Sequence, residues 1–133
     1  MEYKTKTTVT KVFTFDSAHF LPGYNGKCSN LHGHQWRLEV TVAGPPAGQF
    51  NIYPTMICDF GDIKKIVEDR IINRHDHQCL NDIYGEEQTT AENMSNKIFD
   101  NLFEIFGNNL QKIRLYETPN SYAEVTLRSW SEK

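Results

Sequence analysis

An α+β fold with element order β-β-α-α-β-β is what this sequence predicts, and three observations predict it. Period-two apolar alternation recurs near both ends of the 133-residue chain. Helical i, i+3, i+4 spacing occupies its middle, and no repeat, low-complexity tract or linker composition divides it. The expected domain is residues 1–133, built as a four-stranded antiparallel sheet with two helices on one face.

Residues 7–16, TTVTKVFTFD, are β-branched and aromatic, and Val9, Phe13 and Phe15 share one parity, which reads as a first strand ending near His19. Residues 17–33 hold Pro22, Gly23, Gly26 and Gly33 and read as a long loop. A second strand begins near His32, and from His34 its alternation is clean. Trp36, Leu38, Val40 and Val42 face one way, and Arg37, Glu39 and Thr41 the other. Pro45 and Pro46 should end it, because neither can donate to a ladder. Asp59 is a plausible N-cap for a helix whose stripe is Ile63, Ile66, Val67 and Ile71. After a loop over NRHDHQCLND, Thr89 with Glu92 has the spacing of a capping box. A second helix then runs to Gly107 through Met94, Ile98, Phe99, Leu102, Ile105 and Phe106. Strands near Lys112–Glu117 and Tyr122–Trp130 close the chain. Such a sheet leaves two edges and a broad face to protect, and oligomerisation is one way to protect them.

Composition narrows the function classes. The net charge is −3 with no basic block, which argues against nucleic acid or an anionic membrane as partner. Cys28, Cys58 and Cys79 are odd in number and sparse, unlike a secreted disulfide framework. The N-terminus has no signal-like apolar stretch, and no apolar run approaches the roughly 20 residues of a membrane span. A cytoplasmic protein is expected.

Chemistry concentrates in the histidines. His32 and His34 lie two apart at a strand entry, so they share a face. If the first two strands pair as an antiparallel hairpin, the end of one lies beside the start of the other, and His19 projects to that same face. Three neutral imidazoles from adjacent strands, with no fourth protein ligand required, form the arrangement of a catalytic zinc with an open position. Cys28, four residues before His32, admits three readings: a fourth ligand closing a structural site, an inert small apolar residue, or a reactive thiol beside the metal. Asp76 and His77 could make a proton relay, or the histidines of this stretch could simply meet a helix C-terminus. Glu117, before Pro119, reads on local evidence as a charge in a turn.

Taken together in order, FDSAHFLPG, KCSNLHGHQW, ICDFGDIKKIV, HDHQCLND, TAEN and ETPNSYAE resemble the 6-pyruvoyltetrahydropterin synthase / 6-carboxytetrahydropterin synthase family over nearly the whole chain. The resemblance implies the T-fold, in which three subunits close a twelve-stranded barrel, two trimers commonly stack, and active sites lie between subunits; a homotrimer or homohexamer is expected. It implies Zn2+ on His19, His32 and His34, and Cys28 as catalytic thiol. It further implies Asp76 with His77 as the acid–histidine pair, Glu117 as the carboxylate that anchors a pterin, and Thr90 as a position near the pterin. The CxxxHGH spacing and ETPNSYAE are similar to the bacterial 6-carboxytetrahydropterin synthases of the queuosine pathway. The implied reaction converts 7,8-dihydroneopterin triphosphate to 6-carboxy-5,6,7,8-tetrahydropterin, acetaldehyde and triphosphate. Lys27 and Arg37 are candidate phosphate contacts. Formation of 6-pyruvoyltetrahydropterin on the same scaffold is the alternative, and a non-catalytic zinc or pterin-binding protein is a second. A missing thiol or Asp-His pair would favour the latter, and both are present. The chain departs from the family pattern at Phe20, His75 and Tyr122, where arginine, leucine and tryptophan are usual.

Overall fold

The computed structural model describes residues 5–44 and 53–128. The sheet has five strands in the order β3-β1-β2-β4-β5, one more than expected. Strands β1 (Thr8–His19) and β2 (His32–Ala43) pair antiparallel along their whole length. β4 (Leu110–Thr118) joins the other side of β2, and β5 (Ser121–Thr126) follows it antiparallel. The extra strand, β3, is only Gln78–Cys79 and runs parallel to β1 at Ser17 and Ala18. It falls in the stretch expected to be loop, and two residues are too short to leave a period-two signal. Pro45, Pro46 and the expected strand end at Trp130 lie outside the described residues.

Helix α1 (Phe60–Val67) begins where expected, with the Asp59 carboxylate accepting from the Gly61 N–H at 2.6 Å. It continues through a π-turn, Glu68–Ile72, into the short α2 (Asn73–His75), and α3 (Leu80–Tyr84) follows β3. Helix α4 (Ala91–Phe106) ends at Gly107, whose φ of 56° suits a residue without a Cβ. Its N-cap is Thr90, not Thr89. The Thr90 hydroxyl accepts from the Asn93 N–H at 3.2 Å, and Thr89 is withdrawn into the interior.

The apolar face of the sheet meets these helices. Phe13, Phe15, Trp36, Leu38, Val40, Val42, Ile113 and Leu115 pack with Ile63, Val67 and Ile71 of the α1 segment and with Met94, Ile98, Leu102 and Phe106 of α4. The opposite face carries charge. Arg37 bonds Glu39 at 2.6 Å, Arg114 bonds Glu124 at 2.6 Å, and the two guanidiniums lie over the rings of Tyr116 and Tyr122. Thr41 is a local exception, buried on that face against Thr10. An apolar inner face and a charged outer one is how an antiparallel sheet covered on one side is patterned.

Candidate metal centre and surrounding residues

The β1–β2 register sets His19 opposite His32 and Ser17 opposite His34. Period-two alternation then turns all three imidazoles to the helix side of the sheet, at the end where the hairpin loop leaves it. Ring centroids are 4.6 Å apart for His19–His32, 5.3 Å for His19–His34 and 4.8 Å for His32–His34. The ring of Trp36 lies beneath, edge-on to His19 at 5.0 Å and to His34 at 5.4 Å.

Each Nε2 of the three is buried without a hydrogen-bond partner. An unpaired buried nitrogen normally costs free energy, so three converging on one space call for a common partner. The tautomers suit a cation. His19 Nδ1 lies 3.0 Å from the Thr89 carbonyl, and His32 Nδ1 lies 2.7 Å from the Asn30 carbonyl. A carbonyl can only accept, so both Nδ1 atoms carry the proton and both Nε2 atoms offer a lone pair. Burial lowers the pKa of His19 and of His34, which keeps the rings neutral, and the nearby Glu117 carboxylate only partly opposes this. One ligand atom from each ring lies within 4.8 Å of the others, and among the described residues these three form the group able to hold a metal ion. The donor set, three neutral imidazoles, fits a borderline cation such as zinc.

Cys28 sits on a 3-10 turn, Lys27–Ser29, in the β1–β2 loop, half-buried and free, and is not a member of that metal-holding group. The loop is closed by Leu21 N–H donating to the Cys28 carbonyl at 2.7 Å. Glu117, near the end of β4, brings Oε1 to 3.6 Å from His34 Nε2. Its position follows from the β2–β4 pairing, and it is more than a turn charge.

Asp76 and His77 do pair, Oδ2 to Nδ1 at 2.9 Å. Both are held against the edge of β1. Asp76 Oδ1 accepts from the Asp16 N–H at 2.8 Å, and the His77 N–H donates to the Asp16 carbonyl at 2.6 Å. His77 adopts φ 58°, a left-handed conformation uncommon for a side chain of its size. Asp76 raises the pKa of His77, while the backbone N–H of Asp16 and then His77 lower that of Asp76. The His77 ring is 79% exposed. It lines a shallow depression together with Asp16, Ser17, His34, Gln35 and Gln78. Among the described residues no hydrogen bond joins this pair to Cys28 or to the three histidines. The structure thus gathers His19, His32, His34 and Glu117 and holds Asp76–His77 at the edge of β1, where His77 and His34 line one depression.

Asn81 escaped the sequence reading, and Thr89 and His75, expected as a helix cap and as part of a loop, take other roles. Thr89 and Asn81 are buried polar residues tied to the end of β1, and His75 is buried with its edge against Phe15. His75 Nδ1 donates to the Ile71 carbonyl at 2.6 Å, and its Nε2 accepts from the Tyr84 hydroxyl at 2.5 Å. The short polar pieces around them carry no periodicity. The one available signal was two adjacent threonines before α4, of which only one can cap.

Residues 8–128 match the profile of a family described as 6-pyruvoyl tetrahydropterin synthase. The chain is 34% identical to 6-carboxy-5,6,7,8-tetrahydropterin synthase of Haemophilus influenzae, over 87% of this chain and 96% of that one. It is 36% identical to the protein of that name from Synechocystis, over 86% of this chain and 89% of the other. In fold it is similar to 6-pyruvoyl tetrahydropterin synthase of Caenorhabditis elegans, with a TM-score of 0.76, 23% identity and coverage of 96% of this chain and all (100%) of that one. The Plasmodium falciparum protein of that name gives 0.68 at 19% identity, over 92% and 98% of the two chains.

Proposed function

This chain belongs to the 6-pyruvoyl tetrahydropterin synthase family, and on that premise we propose that it converts 7,8-dihydroneopterin triphosphate to 6-carboxy-5,6,7,8-tetrahydropterin with release of acetaldehyde and triphosphate, as a step toward queuosine. The observation that carries the proposal is the set of three Nε2 atoms without hydrogen-bond partners on His19, His32 and His34, beside a carboxylate and on two strands joined by a loop that carries a thiol. Support for the substrate class comes from the names of relatives at 34% and 36% identity.

His19, His32 and His34 would hold Zn2+. When bound there, the ion supplies Lewis-acid polarisation of the substrate's side-chain hydroxyls. Glu117 accepts from the amino and ring N–H edge of the pterin, because one carboxylate takes two parallel donors. Cys28, as thiolate, moves a proton at the side-chain carbon, and the same thiol returns it. His77 is the second acid/base. Asp76 orients its ring through Nδ1 and leaves Nε2 as the proton-transfer atom. Thr90 caps α4 through its hydroxyl, so it contributes to the pterin wall by position. Arg37 is engaged by Glu39, and Lys27 beside Cys28 is the better placed cation for the triphosphate.

Among the described residues Asp76–His77 is hydrogen-bonded to neither Cys28 nor the three histidines, and the His77 ring is exposed. A homotrimer or a stacked pair of trimers would complete the site between copies of the chain, with the exposed His77 ring free to meet a partner copy. The test is direct. The zinc-loaded protein is incubated with 7,8-dihydroneopterin triphosphate, and products are identified by mass and by an acetaldehyde assay. Stoichiometric acetaldehyde with the carboxylated pterin is expected. A 6-pyruvoyl product without acetaldehyde would overturn the assignment.

A further inference from the structure

The β1–β2 ladder stops at His19, and the next residue, Phe20, has no strand neighbour to satisfy its backbone. Asn81 replaces one. Its Oδ1 accepts from the Phe20 N–H at 3.0 Å, and its Nδ2 donates to the Phe20 carbonyl at 2.9 Å. This closes the two-bond ring that a strand partner would make. The second Nδ2 proton goes to the Glu86 carbonyl at 2.9 Å. Thr89 meets the same point from the other side. Its hydroxyl donates to the Phe20 carbonyl at 3.3 Å and lies 3.3 Å from His19 Nδ1, while its carbonyl accepts from that Nδ1 at 3.0 Å. Asn81 is 6% exposed and Thr89 is 0% exposed.

We propose that Asn81 and Thr89 are positioning residues for the metal centre: a buried clamp that fixes the ring orientation and the Nδ1–H tautomer of His19, so that its Nε2 is preset as a ligand. This rests on the reading that the three histidines hold a metal ion. Satisfying the Phe20 backbone would require Asn81 alone. Thr89 does more, because it offers both of its oxygens to the His19 ring and hands one proton to Phe20. The outer partners of a ligating imidazole hold its tautomer and raise its basicity, and losing one typically weakens metal affinity about 10–100-fold. The clamp also links the centre to α4, since Thr90, the next residue, caps that helix. An N-cap that the sequence places at Thr89 is displaced by one residue because Thr89 is committed here.

The test uses the full-length chain. Zinc affinity is measured by competition with a chromophoric chelator for wild type, Asn81→Ala, Thr89→Val and Thr89→Ser. Thermal stability of each metal-free protein is recorded alongside, and the His19 tautomer is read by 15N NMR of the metal-free imidazole. Thr89→Val preserves size and the carbonyl, so it should fold and keep the Nδ1–H tautomer, while loss of the hydroxyl contact to the ring should weaken zinc binding about 10-fold or more. Asn81→Ala should weaken it comparably or further. Thr89→Ser should restore the affinity, with the same Nδ1–H tautomer. Zinc affinity equal to wild type in folded Thr89→Val, whatever its melting temperature, would overturn the clamp. Wild type that binds no zinc would instead overturn the metal reading itself, so the two failures are distinguishable.

Discussion

Replacing Tyr84 by Phe should destabilise the protein through an atom it never touches in the substrate site. His75 is buried with both ring nitrogens used, donating to Ile71 and accepting from Tyr84 at 2.5 Å. Tyr84→Phe leaves Nε2 as a buried acceptor without a donor, which costs about 1–3 kcal/mol. Unfolding entropy is about 2.1 cal/mol/K per residue, so for 133 residues this is a fall of about 4–11 °C in Tm. His75→Leu should cost a similar amount, since it strands the Tyr84 hydroxyl. The double variant should cost less than the sum of the two by about 1–2 kcal/mol, because both members of the bond are then apolar.

The same bond has a pH signature. The pKa of His75 is lowered, chiefly by burial, helped by Arg74 and opposed by its bond to the Ile71 carbonyl. The unfolded chain, with an ordinary histidine near pKa 6.5, therefore binds more protons than the native one between the two values. Wild-type stability falls as pH drops below about 6.5 and continues to fall until the native pKa is passed. His75→Leu lacks this contribution. The gap in stability between wild type and His75→Leu should thus narrow from pH 7.5 to pH 5.5. His19 and His34, also depressed by burial, give the same slope in both proteins and cancel in the difference. Urea denaturation of metal-free protein at fixed chain concentration, at both pH values, measures all of this. Strict additivity in the double variant, or a gap that stays constant on acidification, would refute the reasoning.

Three further outcomes follow from the site. Cys28→Ala should abolish turnover while leaving metal content at the wild-type value, read by atomic emission, and loss of metal would make the thiol a ligand. Glu117→Ala should weaken binding of a dihydropterin by tens-fold or more, the range expected when one partner of a buried charged bond (about 2–5 kcal/mol) is removed. Glu117→Gln should fall between, and equal affinities in a calorimetric titration would remove the anchoring role. Light scattering should give a mass that is a multiple of three chains of 15.4 kDa each, and an active monomer would remove the shared-site arrangement.

What the sequence determined by itself is whatever depends on local period. Alternation along residues 13–19 and 32–42 put His19, His32, His34 and Trp36 on one face once the two strands paired, and antiparallel pairing of their near ends set His19 opposite His32. The Asp59 cap and the stripes of α1 and α4 are equally local, for a helix nucleates on its own end groups and its own 3.6-residue repeat. What only the tertiary structure decided is the use of polar groups whose partners lie far along the chain. Thr89 and Thr90 are indistinguishable as caps until the end of β1, 70 residues away from Thr89 at His19, claims the first of them. His75 is buried because Tyr84 and Phe15 close around it, and Glu117 reaches His34 because β4 pairs with β2. The two-residue β3, which carries the chain out from Asp76 and His77, exists only because β1 offers it an edge. Each of these is a hydrogen bond or contact across a long loop, and a polar residue's choice among several possible partners is settled by packing, for which one-dimensional spacing has no term.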